Sequence, residues 1–433
     1  MIYRMARPAP SPPHAPAPSR RGCVGLVLAG GSARGAYEVG VIRHVVEDVA
    51  RTLGRPVPID VISGTSAGSI NACMLAAHAD RPEARGEMLA NQWTSLELEE
   101  VVRPAPAEIL HVAARMLGRK SGSAERRRGG VLDASRIEAI VKASVPFEAI
   151  GENIRAGRLK ALSISTTHVA SGRTVIFVQR GEPGVPDWGN DPTMVARACH
   201  IRSEHVLASA AVPLLFPAVE IDGQFFCDGG LRQNVPLSPA RRLGADGLIV
   251  VNPRYIHDET PSAPLAEARE RGFPDPFFVF GKAMNALLLD RIENDIHRLE
   301  KLNAILSAGE RQFGPGFGAK LNEELGRRGE GALRHLDVVY IRASQDIGVL
   351  AAEYARSPEF AKRIRGLVGR GVRRLGESES EADMLSYVLF DGPFAGMLIE
   401  MGRSDARARH DELVSFFAKR MDASAGSRPT SEG

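Results

Sequence analysis

The chain has 433 residues, 44% of them hydrophobic and 25% charged, a balance that suits a globular protein of roughly two to three domains. Its net charge of +3 is too small for the strongly basic face that nucleic acid requires. Cys23, Cys73, Cys199 and Cys227 stand far apart with no C-x-x-C pair, which speaks against a disulfide framework or zinc site and reads as reduced, mostly buried thiols of a cytosolic protein.

Residues 1–22 are rich in Pro, Ala, Ser and Arg and predict a disordered tail. Arg4 and Arg7 are not followed by an apolar stretch, so no secretory signal is expected. No run of 18 apolar residues occurs, so no transmembrane helix is expected. Val24 to Ala29 reads as a buried parallel strand, apolar on both faces. The loop Gly30-Gly31-Ser32-Ala33-Arg34-Gly35 follows. From Tyr37 to Leu53, Val41, Val45, Val49 and Leu53 recur at helical spacing. A short strand, Ile59 to Ile62, then leads through Gly64-Thr65-Ser66-Ala67-Gly68 into a small-residue helix, Ser69 to Ala72. This order, strand-loop-helix-strand-turn-helix, opens a parallel α/β sheet.

Glu83 to Leu117 reads as helical with breaks at Pro104 and Pro106, and residues 119–128 form a basic loop. Leu159 to Thr166 and Thr174 to Val178 predict paired strands, and 183–192 a polar loop. Ala218 to Phe226 predicts a hairpin about Asp222-Gly223, and Asp246 to Val251 a core strand. Beyond Arg254 the character changes: Ala283 to Leu306 reads as a long amphipathic helix, and Met384 to Met401 is again helical. Leu336 to Ile341 is a single strand expected to return to the main sheet, and the end frays from Ser424.

Three places carry chemistry. Gly64 to Gly68 fits G-x-S-x-G, in which a sharp strand-to-helix turn exposes a serine hydroxyl. The Gly30–Gly35 loop joins a strand to a helix, so its N–H groups face a crevice at a positive helix end. A plain tight turn fits that loop equally well. A dinucleotide fingerprint lacks its glycine, because Ser32 stands in the third position, and no Gly-Lys-Ser/Thr marks a phosphate loop. Asp228-Gly229-Gly230 places a carboxylate in a tight turn, where a capping role is the simpler reading. A serine hydrolase usually needs a histidine base. His168, His200 and His205 lack a local signature for it, which argues against an ordinary Ser-His-Asp enzyme.

Taken together, these blocks resemble the bacterial patatin-like phospholipases. The resemblance rests on Leu28 to Tyr37, Gly64 to Ala72, Ala208 to Pro217, and Asp228-Gly229-Gly230 with Asn234 and Pro236, spread over residues 24 to about 253. It implies an α/β, three-layer fold with a mostly parallel central sheet over residues 23–256, and a mainly helical C-terminal extension over 257–433. It also implies a serine acyl-ester hydrolase acting on lipids. Ser66 would be the nucleophile and Asp228 the base, with no catalytic histidine. The backbone amides of Gly30, Gly31 and Ser32 would form the oxyanion hole, although members commonly carry a third glycine where this chain has Ser32. Arg34, Gly35, Gly64, Gly68, Gly229 and Gly230 would support the motifs, with Arg34 ordering the loop or attracting a phosphate.

The expected partner is a phospholipid or other acyl lipid, with no nucleic acid, metal or cofactor. The expected location is cytoplasmic, with the inner membrane surface as a peripheral contact. Arg126 to Arg128 could meet anionic headgroups and Phe273 to Phe280 acyl chains, although a solvated loop and core packing are the simpler readings. A lipid-binding or scaffolding protein that has lost turnover is the alternative function.

Overall fold

The computed structural model describes residues 22–103, 130–186, 188, 191, 193–256, 292–328, 333–364, 369–370, 372 and 382–422. Of the expected tail at 1–22, residues 1–21 lie outside these residues, as do the basic loop at 119–128, the aromatic stretch at 273–280 and the frayed end; Gly22 is described, its N–H donating to the Arg420 carbonyl.

Among the described residues, nine strands form one sheet: β1 (Val24–Leu28), β2 (Val61–Thr65), β3 (Ala161–His168), β4 (Thr174–Arg180), β5 (Met194–Ala198), β6 (Val219–Ile221), β7 (Gln224–Asp228), β8 (Gly247–Asn252) and β9 (Asp337–Arg342). The order β5-β4-β3-β2-β1-β8-β9 is parallel from β3 through to β9. The β3–β4 pair is antiparallel, and so is the β6–β7 hairpin about Asp222 and Gly223.

Continuous apolar strands make sense because both faces are covered. Leu26 and Leu28 of β1, with Ile249 and Val251 of β8, point into the larger core. Val27, Leu248 and Val250, one residue out of phase, point into a second core with Ala240 and Ile296. The result is a sheet between two helical layers.

The expected strand at Ile59 to Ile62 sits two residues later, at Val61–Thr65. Its register with β1 and β3 carries the ladder through Gly64↔Leu28 and Thr65↔Ser165, up to the turn itself. The predicted helix after the glycine loop starts at Gly35 and continues to Leu53 through a π-helical stretch at His44–Val49. Sequence periodicity missed β5, whose residues are half-buried rather than alternating.

The C-terminal residues are built into this frame. β9 extends the sheet beside β8. The helix Gly392–Ala408 crosses Gly35–Arg43 at backbone contact: a side chain at Gly40 would run into the Ile399 carbonyl, and one at Gly402 into the Tyr37 carbonyl. Among the described residues, no helix is long and apolar enough to cross a membrane.

Candidate active site

Strand order alone brings Ser66 and Asp228 together. β4 runs along one edge of β3 from Ala161 to Thr167. β2 occupies the other edge only as far as Ser165, and β7 takes over that edge at Thr166, opposite Asp228. Ser66, next after β2, therefore meets Asp228 at the end of β7. The Ser66 hydroxyl donates to Asp228 Oδ2 at 2.6 Å.

Ser66 has φ 54° and ψ −125°, a backbone state that costs of order 1–3 kcal/mol in a residue with a side chain. Its neighbours hold it there. A side chain at Gly64 would strike the Gly68 carbonyl, and one at Gly68 the Leu28 and Ala29 carbonyls. The helix Ala67–Ala77 starts immediately after, placing its positive end at the hydroxyl.

Sequence reasoning missed Ser209. It accepts the Ser66 N–H at 2.8 Å and donates to the Ser165 carbonyl at 2.7 Å, tying the turn to β3. Its only signal was membership of the Ala208 to Pro217 block.

Asp228 is fully buried. Burial pushes its carboxyl up to about 7, against the opposing effects of the Ser66 hydroxyl and the Gly230 N–H, which donates at 2.7 Å. A carboxylate in that range is a far better proton acceptor at neutral pH than a free aspartate. Gly229 packs its backbone against the Ser165 carbonyl, where a Cβ would not fit.

Ser66 and Asp228 have no histidine partner among their hydrogen bonds. His168 pairs with Ser171, His200 is exposed, and His205 is buried against Phe177, its Nδ1 accepting the Arg202 N–H.

The glycine loop lies beside Ser66, but its expected donors need a correction. The Gly30 N–H donates to the Asn234 carbonyl at 3.0 Å, and Asn234 Nδ2 donates back to the Gly30 carbonyl at 3.1 Å. Gly30 is thus a pinned hinge and not an available donor. Among the described residues, the N–H groups of Gly31 and Ser32 find no hydrogen-bond acceptor. Ser32 keeps a positive φ of 53° despite its side chain.

Arg34 is buried and is not among the residues that line the pocket at Ser66. Its Nε donates to Ser386 Oγ at 2.8 Å, its Nη2 pairs with Asp383 at 3.4 Å, and its guanidinium lies 4.1 Å from the Tyr387 ring centre. Of the two roles expected for it, the geometry matches loop ordering. Gly35 allows the close approach of Ala67 and Trp93.

A narrow apolar pocket opens at Ser66 and Ser32, lined by Ile70, Trp93, Val141, Phe216 and Phe390. Trp93 stacks on Phe390 with ring centres 6.5 Å apart. A larger groove of about 1100 Å³ runs along β9 and shares no residue with this pocket. Among the described residues, no group of three or more His, Cys, Asp or Glu could hold a metal ion. All four cysteines are free thiols, with Cys23 and Cys73 buried.

Curated relatives share this region. The lysophospholipase NTE1 of Mycosarcoma maydis is 24% identical over 253 residues, 57% of this chain and 10% of its own. That of Coccidioides immitis is 27% identical over 252 residues, 56% of this chain and 12% of its own. Human patatin-like phospholipase domain-containing protein 6 is 24% identical over 230 residues, 53% of this chain and 13% of its own. The chain thus spans about a tenth of the length of these relatives. A solved structure of human GIVD cytosolic phospholipase A2 covers 94% of this chain and 60% of its own at 10% identity and TM-score 0.42, a likeness too loose to bear on function. Residues 26–241, which hold the glycine loop, the serine turn and Asp228, match the family described as patatin-like phospholipase, and the chain carries a domain of that family.

Proposed function

We propose that this chain is a lipid acyl-ester hydrolase with Ser66 as nucleophile and Asp228 as general base. The observation that carries the reading is the 2.6 Å hydrogen bond from the Ser66 hydroxyl to a buried carboxylate, at a strained strand-to-helix turn. The Ser66 oxygen bonds to the ester carbonyl carbon while its proton passes to Asp228. The carbonyl electron pair moves to oxygen, which meets the unbonded N–H groups of Gly31 and Ser32 and the N-terminus of the Ala67–Ala77 helix. Collapse of this intermediate expels the alcohol, which takes the proton from Asp228. Water then attacks the acyl carbon and loses a proton to Asp228; collapse breaks the bond to the Ser66 oxygen, which takes that proton back from Asp228 as the fatty acid leaves.

The apolar pocket at Ser66 suits an acyl chain, and the curated relatives are named lysophospholipases. Both support a phospholipid or lysophospholipid substrate, and with it we propose a peripheral approach to a membrane surface.

The test is hydrolysis of lysophosphatidylcholine and of a soluble p-nitrophenyl ester by the full chain. Ser66→Ala and Asp228→Asn should each reduce kcat by at least about 10³-fold, with an unchanged circular dichroism spectrum. Wild-type turnover in either variant contradicts the proposal.

A further inference from the structure

The side chain of Ser32 is left over from this mechanism in an informative way. The family resemblance places a glycine at this position, and the backbone conformation here, φ 53°, is one that glycine adopts freely. The chain nevertheless carries a side chain there. That side chain is buried, and Ser32 lines the same apolar pocket as Ser66. Among the described residues its hydroxyl has no hydrogen-bond partner. The hydroxyl is not one of the fully buried unpaired atoms, so it keeps some exposure, at a mainly apolar pocket where its donor capacity is open to a bound group. A strained backbone that holds such a group next to a nucleophile is a conformation maintained by its surroundings, as at other sites of chemistry.

We infer that the Ser32 hydroxyl is a catalytic residue, a side-chain donor to the carbonyl oxygen of the ester bound at Ser66; this rests on the hydrolase reading above. As Ser66 bonds to the carbonyl carbon, the carbonyl electron pair moves to the oxygen and the Ser66 proton goes to Asp228. Ser32 keeps its proton throughout and donates a hydrogen bond to the negative oxygen. With Gly30 engaged by Asn234, this hydroxyl stands in for the amide that the loop does not offer. The hydrogen bond strengthens as charge develops, so its effect falls on kcat more than on KM.

The experiment compares wild type, Ser32→Gly and Ser32→Ala on one p-nitrophenyl ester. A trifluoromethyl ketone, whose adduct with Ser66 carries the same negative oxygen, is titrated in parallel. Ser32→Gly keeps the N–H and releases the backbone strain, so a purely structural role predicts equal or higher activity and higher stability. The donor role predicts a kcat about 10²-fold lower in both variants, KM within about 2-fold of wild type, and a matching loss of ketone affinity. Ser32→Gly with wild-type kcat and ketone affinity overturns this proposal and leaves the hydrolase reading standing. A wild-type chain that turns over no ester overturns both.

Discussion

A carboxyl group with no surface in water ionises reluctantly, and Asp228 is such a group. Burial moves it from 3.8 to about 7, so its base form gains population as pH rises through 7. The expected kcat/KM therefore climbs with pH across that value and then levels; a profile flat from pH 5 to 9 would contradict the assignment. The same shift sets a stability effect with a definite sign. The folded chain holds a proton that the unfolded chain gives up between 3.8 and about 7, so Asp228 lowers stability as pH rises through that window. Asp228→Asn should then exceed wild type in denaturant stability at pH 8, by up to about 4 kcal/mol, with the difference shrinking toward pH 4. At this scale the sequence showed the serine turn plainly, because its glycines and serine are contiguous. Asp228 was legible only through the family pattern, since its partner lies 162 residues away. Ser209 and the Gly30–Asn234 pairing were hidden for the same reason: hydrogen bonds across 143 and 204 residues leave no local periodicity.

Among the elements, the short helix Ala382–Val388 has the most direct hold on the glycine loop. It offers Arg34 a hydroxyl, a carboxylate and an aromatic face, all from one turn. Ser386→Ala leaves the buried Arg34 Nε without its acceptor and should lower unfolding free energy by about 1.5–3 kcal/mol, read by urea titration. An unchanged midpoint would mean that the loop is held by other contacts. Strand and helix types were mostly readable, because β1 and β8 are uninterrupted apolar runs and the glycine loop and serine turn punctuate them. The strand at Asp337–Arg342 was visible as an apolar run, and the structure places it beside β8. The break between Ala382–Val388 and Gly392–Ala408 was not foreseen in the single helix read from Met384 to Met401. There Asp391, with Gly392-Pro393 after it, starts a new helix, and its carboxylate accepts the Tyr354 hydroxyl at 2.5 Å.

At the level of the whole molecule, the site is assembled from distant parts of the chain. The nucleophile and base come from β2 and β7, the loop's pinning from Asn234, and the loop's arginine partners from residues beyond 380. Phe390 from that late segment also lines the pocket at Ser66. All of this converges on one hydroxyl, and a fluorophosphonate probe reads it most directly. Incubated with the intact chain and analysed by peptide mass spectrometry, the probe should form a single covalent adduct on Ser66. The adduct should be absent from Ser66→Ala and form much more slowly in Asp228→Asn. Labelling at another serine, or equal labelling of wild type and Ser66→Ala, would contradict the account.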